Sequence, residues 1–258
     1  MNLRFIEEVD QTVRRFDPQI VVHLAAKTEV AWSFDDYEDV SNVNYIGTVR
    51  LAEACRKHAS DFQMFLMAST METYGHHFEE RAFTELTPQL PAAPYAVAKL
   101  AAEKYLHYME YAYNFPWVIL RQTNTYGRPK NDFFIMERVI TQMLRGKIVD
   151  LGEPDPVRNF LFIDDLIDLY MVLLNKRPIG QTFVTGPDNG LTIGELVGKI
   201  SDILEWEGMV NWHTQPKRPG EIFYLNSDAS KARILLGWEP KISLEEGIVK
   251  TIALWKRT

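Results

Sequence analysis

Apolar residues Phe5, Ile6, Val9, Val13 and Phe16 recur at helical spacing, and Asp17-Pro18 closes the segment, so residues 5–16 are predicted to form an amphipathic helix. The period then changes. Gln19-Ile-Val-Val-His-Leu-Ala-Ala26 is a nearly continuous apolar run, the pattern of a parallel strand buried on both faces. Helical spacing returns over 42–59 with Val43, Ile46, Val49, Leu51, Ala52 and Cys55, and Met64-Phe-Leu-Met-Ala68 reads as a second strand. A proline-bearing loop leads into a long helix from Tyr95 to Tyr113, and Trp117-Val-Ile-Leu-Arg121 is a third strand. Strands alternating with long helices predict an α/β fold, a parallel sheet with helices on both faces.

Beyond this the elements shorten. Asn124-Thr-Tyr-Gly-Arg-Pro129 reads as a loop, 132–145 as a helix, and Ile148-Val-Asp-Leu151 as a short strand. Arg158 to Asp165 reads as another strand, leading into a helix over 165–175, and Gln181-Thr-Phe-Val-Thr185 as a strand returning to the main sheet. Thr192 and Glu195 form a capping box for a helix over 192–205. Two short helices, separated by Gly237-Trp-Glu-Pro240, fill 228–258. The expected division is a main domain of 1–125 with 160–186 returning, and a smaller C-terminal α/β lobe of 126–159 and 187–258.

Composition narrows the function classes. The chain of 258 residues is 46% hydrophobic and 24% charged, enough for a main domain with a lobe. A net charge of −7 with no basic run argues against nucleic acid. No apolar run reaches membrane-spanning length, and the acidic opening lacks a signal-peptide core, so no membrane partner and a cytoplasmic location are expected. Cys55 is the one cysteine, expected as a buried thiol in a reducing compartment. His76-His77 with Glu79 and Glu80 lacks the i, i+4 ligand spacing of a helical metal site, and no metal is expected. No glycine precedes Gly47, so the chain shows no G-x-G-x-x-G phosphate turn.

The candidate chemistry centres on Tyr95-Ala-Val-Ala-Lys99. Residues i and i+4 share a helix face one turn apart, so the Lys99 ammonium is expected to favour the Tyr95 phenolate and lower its pKa from about 10. That would make a proton-transfer group near neutral pH. Thr70 lies 25 residues earlier, at a predicted strand end.

With these neighbours the chain resembles the extended short-chain dehydrogenase/reductases that act on nucleotide sugars: 4-epimerases, 4,6-dehydratases and UDP-glucuronate decarboxylases. The resemblance rests on His23-Leu-Ala-Ala26, Asn44 with Gly47-Thr48, Thr70 to Gly75, Tyr95 and Lys99, Asn124-Thr-Tyr-Gly127, Arg158 to Asp165, Arg218-Pro-Gly220 and Leu236 to Pro240. It implies a Rossmann-like domain binding NAD through Leu24, Ala25, Ala26, Asn44, Ser69, Tyr95 and Lys99. It implies transient oxidation at hexose C4, with Tyr95 as base, Lys99 depressing its pKa, and Thr70 bonding the same sugar oxygen. Asn124, Arg158 and Arg218 would hold the nucleotide-diphosphate sugar, and the helices at 42–59 and 95–113 would form a homodimer contact. Glu72 is a further catalytic candidate. Resembling dehydratases carry Asp-Glu where this chain has Met71-Glu72, decarboxylases Ser-Glu, and simple epimerases small or apolar residues, so the pair falls between classes. The residues alone leave Thr70 open as a turn cap, Glu72 as a carboxylate bonded to backbone amides, Arg158 as an ion pair with Asp164 or Asp165, and Arg218 as a solvated loop residue. Members of the resembling family open with the glycine turn, so a truncated Rossmann sheet is expected, and with it the alternative of a non-catalytic sugar-nucleotide-binding or partner subunit.

Overall fold

Val9 and Val13 bury one face of the first helix, while Glu7 and Glu8 in its first turn and Arg14 and Arg15 in its last complement the helix dipole. In this computed structural model, which describes residues 1–77 and 79–257, the chain runs through α1 (Ile6–Phe16), β1 (Ile20–His23), α2 (Tyr37–Ser41), α3 (Gly47–His58), β2 (Met64–Thr70), α4 (Pro94–Tyr113), β3 (Trp117–Gln122), β4 (Asn124–Tyr126), α5 (Ile135–Arg145), β5 (Ile148–Asp150), β6 (Val157–Arg158), β7 (Phe160–Phe162), α6 (Ile163–Lys176), β8 (Gln181–Val184), β9 (Leu191–Thr192), α7 (Ile193–Leu204), β10 (Met209–Asn211), β11 (Tyr224–Leu225), α8 (Ser230–Leu236) and α9 (Leu244–Trp255). Two units result. One holds residues 1–77, 85–122 and 176–183, and the other the remainder of the described residues. Among the described residues no helix is long and apolar enough to cross a membrane.

The first unit is a sheet of order β1-β2-β3-β8, in which β1, β2 and β3 run parallel. Strand β2 lies inside it, and Met64, Phe65, Leu66 and Met67 are completely buried. Val9 and Val13 of α1, Leu51, Ala52 and Cys55 of α3, and Ala102, Leu106 and Met109 of α4 pack into one core with Phe65 and Met67. The Cys55 thiol is fully buried there, and desolvation pushes its pKa up to about 12. The expectation for β1 needs correction. It is the outer strand, with a single neighbour, so Val22 remains 39% exposed and the chain leaves the strand after His23.

The ends of β2 and β3 are tied to α4 by a buried ion pair. Arg121 Nη2 donates to Glu103 Oε2 at 2.8 Å and Nε reaches both carboxylate oxygens at 3.2 Å. Ser69 Oγ donates to Glu103 Oε1, Gln89 Nε2 donates to Oε2 at 2.9 Å, and Arg121 Nη1 donates to the Tyr74 hydroxyl at 2.9 Å.

In the second unit, α5, α7 and α9 bury Val139, Ile140, Leu196, Ile200, Ile248 and Ile252 against Val149, Phe160 and Phe162. Asn124–Tyr126, expected as a loop, is a strand paired in parallel with β7, because the two segments satisfy each other's backbone groups. This pairing also places 160–175 in the second unit, so only 176–183 returns to the first, a shorter stretch than the expected 160–186. The expected strand over 158–165 is interrupted, and the helix begins at Ile163. Asp165 fixes that helix: its carboxylate accepts Lys241 N and Ile242 N at 3.0 Å, and its carbonyl accepts Trp238 Nε1 at 3.2 Å.

Replacing Arg121 with Met strands a buried carboxylate and should cost about 3–5 kcal/mol in urea unfolding. A loss below about 1 kcal/mol, typical of an exposed pair, would contradict this account. A Cβ on Gly247 would stand 1.9 Å from the Tyr126 hydroxyl oxygen. Gly247→Ala should therefore lose about 1–3 kcal/mol, and Tyr126→Phe in the same chain should recover part of it.

Candidate active site

Strand β2 ends at Thr70 in a short 3₁₀ turn, Met71–Tyr74. The Thr70 hydroxyl accepts the Glu72 N–H at 3.2 Å, and the Thr73 hydroxyl donates to the Thr70 carbonyl at 2.9 Å. Gly75 closes the turn with φ +67, and a Cβ there would lie 1.5 Å from the Leu90 carbonyl oxygen, so no other residue fits. Thr70 therefore caps the turn, and its hydroxyl also favours the Tyr95 phenolate. Tyr95 follows Pro94 at the start of α4, where proline is favoured and the positive end of the helix dipole favours an anion.

The structure brings Tyr95, Thr70, Lys99, Ser69 and Glu72 to the carboxyl end of β2. It does not pair Lys99 with the phenol. Lys99 is 2% exposed, and its Nζ donates to the Ala68 carbonyl at 2.8 Å. Burial lowers the Lys99 pKa to about 8, opposed by the Glu103 charge. Burial also raises the Tyr95 phenol well above the ordinary tyrosine range, with the Thr70 bond opposing and the Glu72 charge adding to the rise. The expected depression of Tyr95 by Lys99 is thus reversed, because removal from water disfavours both charged forms and the amine hydrogen goes to a strand carbonyl. Glu72 is half-buried, and its effect on Tyr95 is that of a nearby negative charge.

On β1, His23 is buried and its Nε2 lies 2.8 Å from the Thr48 hydroxyl. Burial, reinforced by Lys99, pushes its pKa down to about 3. The following Leu24 and Ala25 are exposed and Ala26 is half-buried. Asn44 lies in a π-helical turn, Asn42–Ile46, and is fully buried. Its amide accepts the Lys27 N–H and donates to the Lys27 carbonyl, both at 2.8 Å, so it braces the loop of Leu24, Ala25 and Ala26. The Ser69 hydroxyl is committed to Glu103.

These residues fit the nicotinamide-ribose end of a dinucleotide. The Lys99 ammonium has three hydrogens and donates to the Ala68 carbonyl, and the exposed loop after β1 lies at a strand carboxyl end, where open α/β sheets bind ligands. A glycine cradle for the pyrophosphate is not among the described residues, since the first glycine is Gly47, inside the packed face of α3.

In the second unit, Asn124 is exposed on β4 and its Nδ2 donates to the Asn159 carbonyl at 3.4 Å. Arg158 and Arg218 converge on Glu221. Arg218 Nε donates to Oε2 at 3.0 Å, and Arg158 Nη2 lies 3.8 Å from Oε1 while donating to the Ile222 carbonyl at 2.7 Å. The Arg158 ion pair is therefore with Glu221 and not with Asp164 or Asp165, because Asp165 is occupied by the Lys241 and Ile242 amides. Sequence reasoning missed Glu103, Arg121 and Glu221. A carboxylate at i+4 from Lys99 and i+8 from Tyr95, on an otherwise apolar face, was the available signal for Glu103.

The His23 shift has a measurable consequence. Above about pH 6.5 the imidazole is neutral in both folded and unfolded chains and contributes no pH dependence. Below that the unfolded chain binds a proton that the folded one refuses until about pH 3, so stability falls with pH across this window. The slope from this group should approach about 1.4 kcal/mol per pH unit. Denaturant unfolding at stepped pH should show His23→Asn to be shallower than the parent by that component, and equal slopes would contradict the assignment.

The sequence and the fold match known proteins. Residues 1–251 match the family described as GDP-mannose 4,6 dehydratase. The dTDP-glucose 4,6-dehydratase of Haemophilus influenzae is 27% identical over 265 residues, covering 95% of this chain and 78% of that protein. The UDP-glucose 4-epimerase of Mycolicibacterium smegmatis is 30% identical over 245 residues, covering 93% and 77%. The crystal structure of Thermus thermophilus UDP-glucose 4-epimerase in complex with NAD superposes with a TM-score of 0.91 at 27% identity, covering 99% of this chain and 83% of that one. With a match across nearly its whole length and these enzymes as relatives, the chain belongs to the GDP-mannose 4,6 dehydratase family.

Proposed function

We propose that this chain is an NAD-dependent nucleotide-sugar enzyme that works by transient oxidation at hexose C4. The observation that carries the reading is Tyr95, with the Thr70 hydroxyl favouring its phenolate, on the same helix as a buried Lys99 that reaches the carboxyl end of β2. Tyr95, Lys99 and the Leu24–Ala26 loop would hold the nicotinamide end of NAD, and bound NAD would supply the acceptor and donor of hydride. Thr70 and Tyr95 would both bond the C4 hydroxyl, fixing one geometry for proton transfer. Tyr95 would take the hydroxyl proton as phenolate. Burial opposes that charge, and the Thr70 hydroxyl and the positive end of the α4 dipole are the chain's own sources of compensation. Arg218 and Arg158, gathered by Glu221, would bind the diphosphate through charge-assisted bonds, with Asn124 as a further nucleotide ligand.

Between the two chemistries named in the relatives, we favour 4-epimerisation. Elimination of the C6 hydroxyl needs a proton donor as well as a base for C5. Glu72 supplies a carboxylate, but the Met71 thioether has no proton to give. In the same reading the chain is cytoplasmic and forms a homodimer through α3 and α4, where Tyr108 and Tyr111 are exposed; sedimentation tests the dimer.

UDP-glucose or dTDP-glucose incubated with NAD should give the C4 epimer without a 4-keto-6-deoxy sugar. Tyr95→Phe should lower turnover by about 10²–10⁴-fold with the circular dichroism unchanged. Full activity in that variant would sink the mechanism. No NAD uptake by fluorescence or native mass spectrometry would favour a non-catalytic sugar-nucleotide-binding or partner subunit instead.

A further inference from the structure

We propose that Glu103 is a positioning residue for the Tyr95–Lys99 pair: it keeps Lys99 cationic and locks α4 to the strand end that carries Thr70. The inference rests on the proposed reading only in taking Tyr95 and Lys99 as the working pair.

Tyr95, Lys99 and Glu103 are four residues apart on α4, so each lies about 6 Å further along one face. Glu103 has no exposed surface. Both of its oxygens are filled: Oε1 by Ser69 Oγ and Arg121 Nε, Oε2 by Gln89 Nε2 and by Arg121 Nε and Nη2. The carboxylate is therefore held by β2, β3 and the loop before α4, and it cannot swing away from the helix face. Ser69 immediately precedes Thr70, so the same carboxylate fixes the strand end whose Thr70 hydroxyl favours the Tyr95 phenolate.

Charge gives the second half. The groups bearing on the Lys99 amine are His23 from β1, the Ala68 carbonyl from β2 and Glu103 from α4. His23 is neutral at physiological pH, and so is the resting phenol. Glu103 is the carboxylate whose charge supports the ammonium, while Arg121 on the far side of it is a second buried cation. Without the Glu103 charge, Lys99 loses the carboxylate that supports its cation, and of the two buried cations it is the one that can lose its proton.

Lysine labelled with ¹³C at Cε, with Lys99→Met identifying the resonance, reads the Lys99 midpoint directly by NMR. In the parent chain it should fall near 8. Glu103→Gln should lower it by about one unit or more, a tenfold rise in free amine at neutral pH, and Glu103→Asp should restore most of the shift. An unchanged midpoint in a folded Glu103→Gln chain overturns the proposal. Where that variant does not fold, a parent midpoint below about 7 does so, since Lys99 would then be neutral with Glu103 in place. The titration needs neither cofactor nor sugar. Failed NAD uptake would therefore overturn the proposed function and leave this result standing.

Discussion

Tyr95, Lys99, Glu103 and Arg121 are nearly or wholly removed from water at the ends of β2 and β3, and everything around them follows from that burial. A charge in such a place must find a partner or give up its ionisation. Arg121 and Glu103 take the first course, with every carboxylate oxygen bonded. Lys99 and Tyr95 are pushed toward the second, the amine downward and the phenol upward. One physical cause thus produces both an inert clamp and a responsive pair, and the difference between them is whether an opposite charge lies within bonding reach.

The fold was legible where periodicity was unambiguous. The helix over 95–113 and the strands at 64–68 and 117–121 appear at their predicted places, because long amphipathic or wholly apolar runs have one way to bury themselves. Short segments were not. Asn124-Thr-Tyr126 has no period to read, and its strand conformation comes from pairing with Phe160–Phe162, a partner more than thirty residues away. The apolar run after Gln19 predicted burial on both faces, but an outer strand is covered on fewer sides than a central one, and periodicity carries no information about a strand's place in the sheet order.

The candidate site divides in the same way. Spacing brought Tyr95, Lys99 and Thr70 together, since i, i+4 on a helix is local geometry. What the spacing could not supply was the target of each donor. Lys99 was read as facing the phenol, and instead bonds Ala68; Arg158 was read as facing Asp164 or Asp165, and instead faces Glu221. Asn44 likewise braces the Lys27 backbone from a π-helical turn, an irregularity that sequence periodicity smooths over. In each instance the partner comes from another element, so only the tertiary fold decides it.

Glu221 applies the same logic to charge in the second unit. Two arginines brought near each other repel, and a carboxylate between them relieves the repulsion. A diphosphate carries the same bonding surface as that carboxylate and more charge. In the proposed reading, a diphosphate would meet guanidinium groups already gathered by an internal anion, so the chain does not have to order them at the moment of binding.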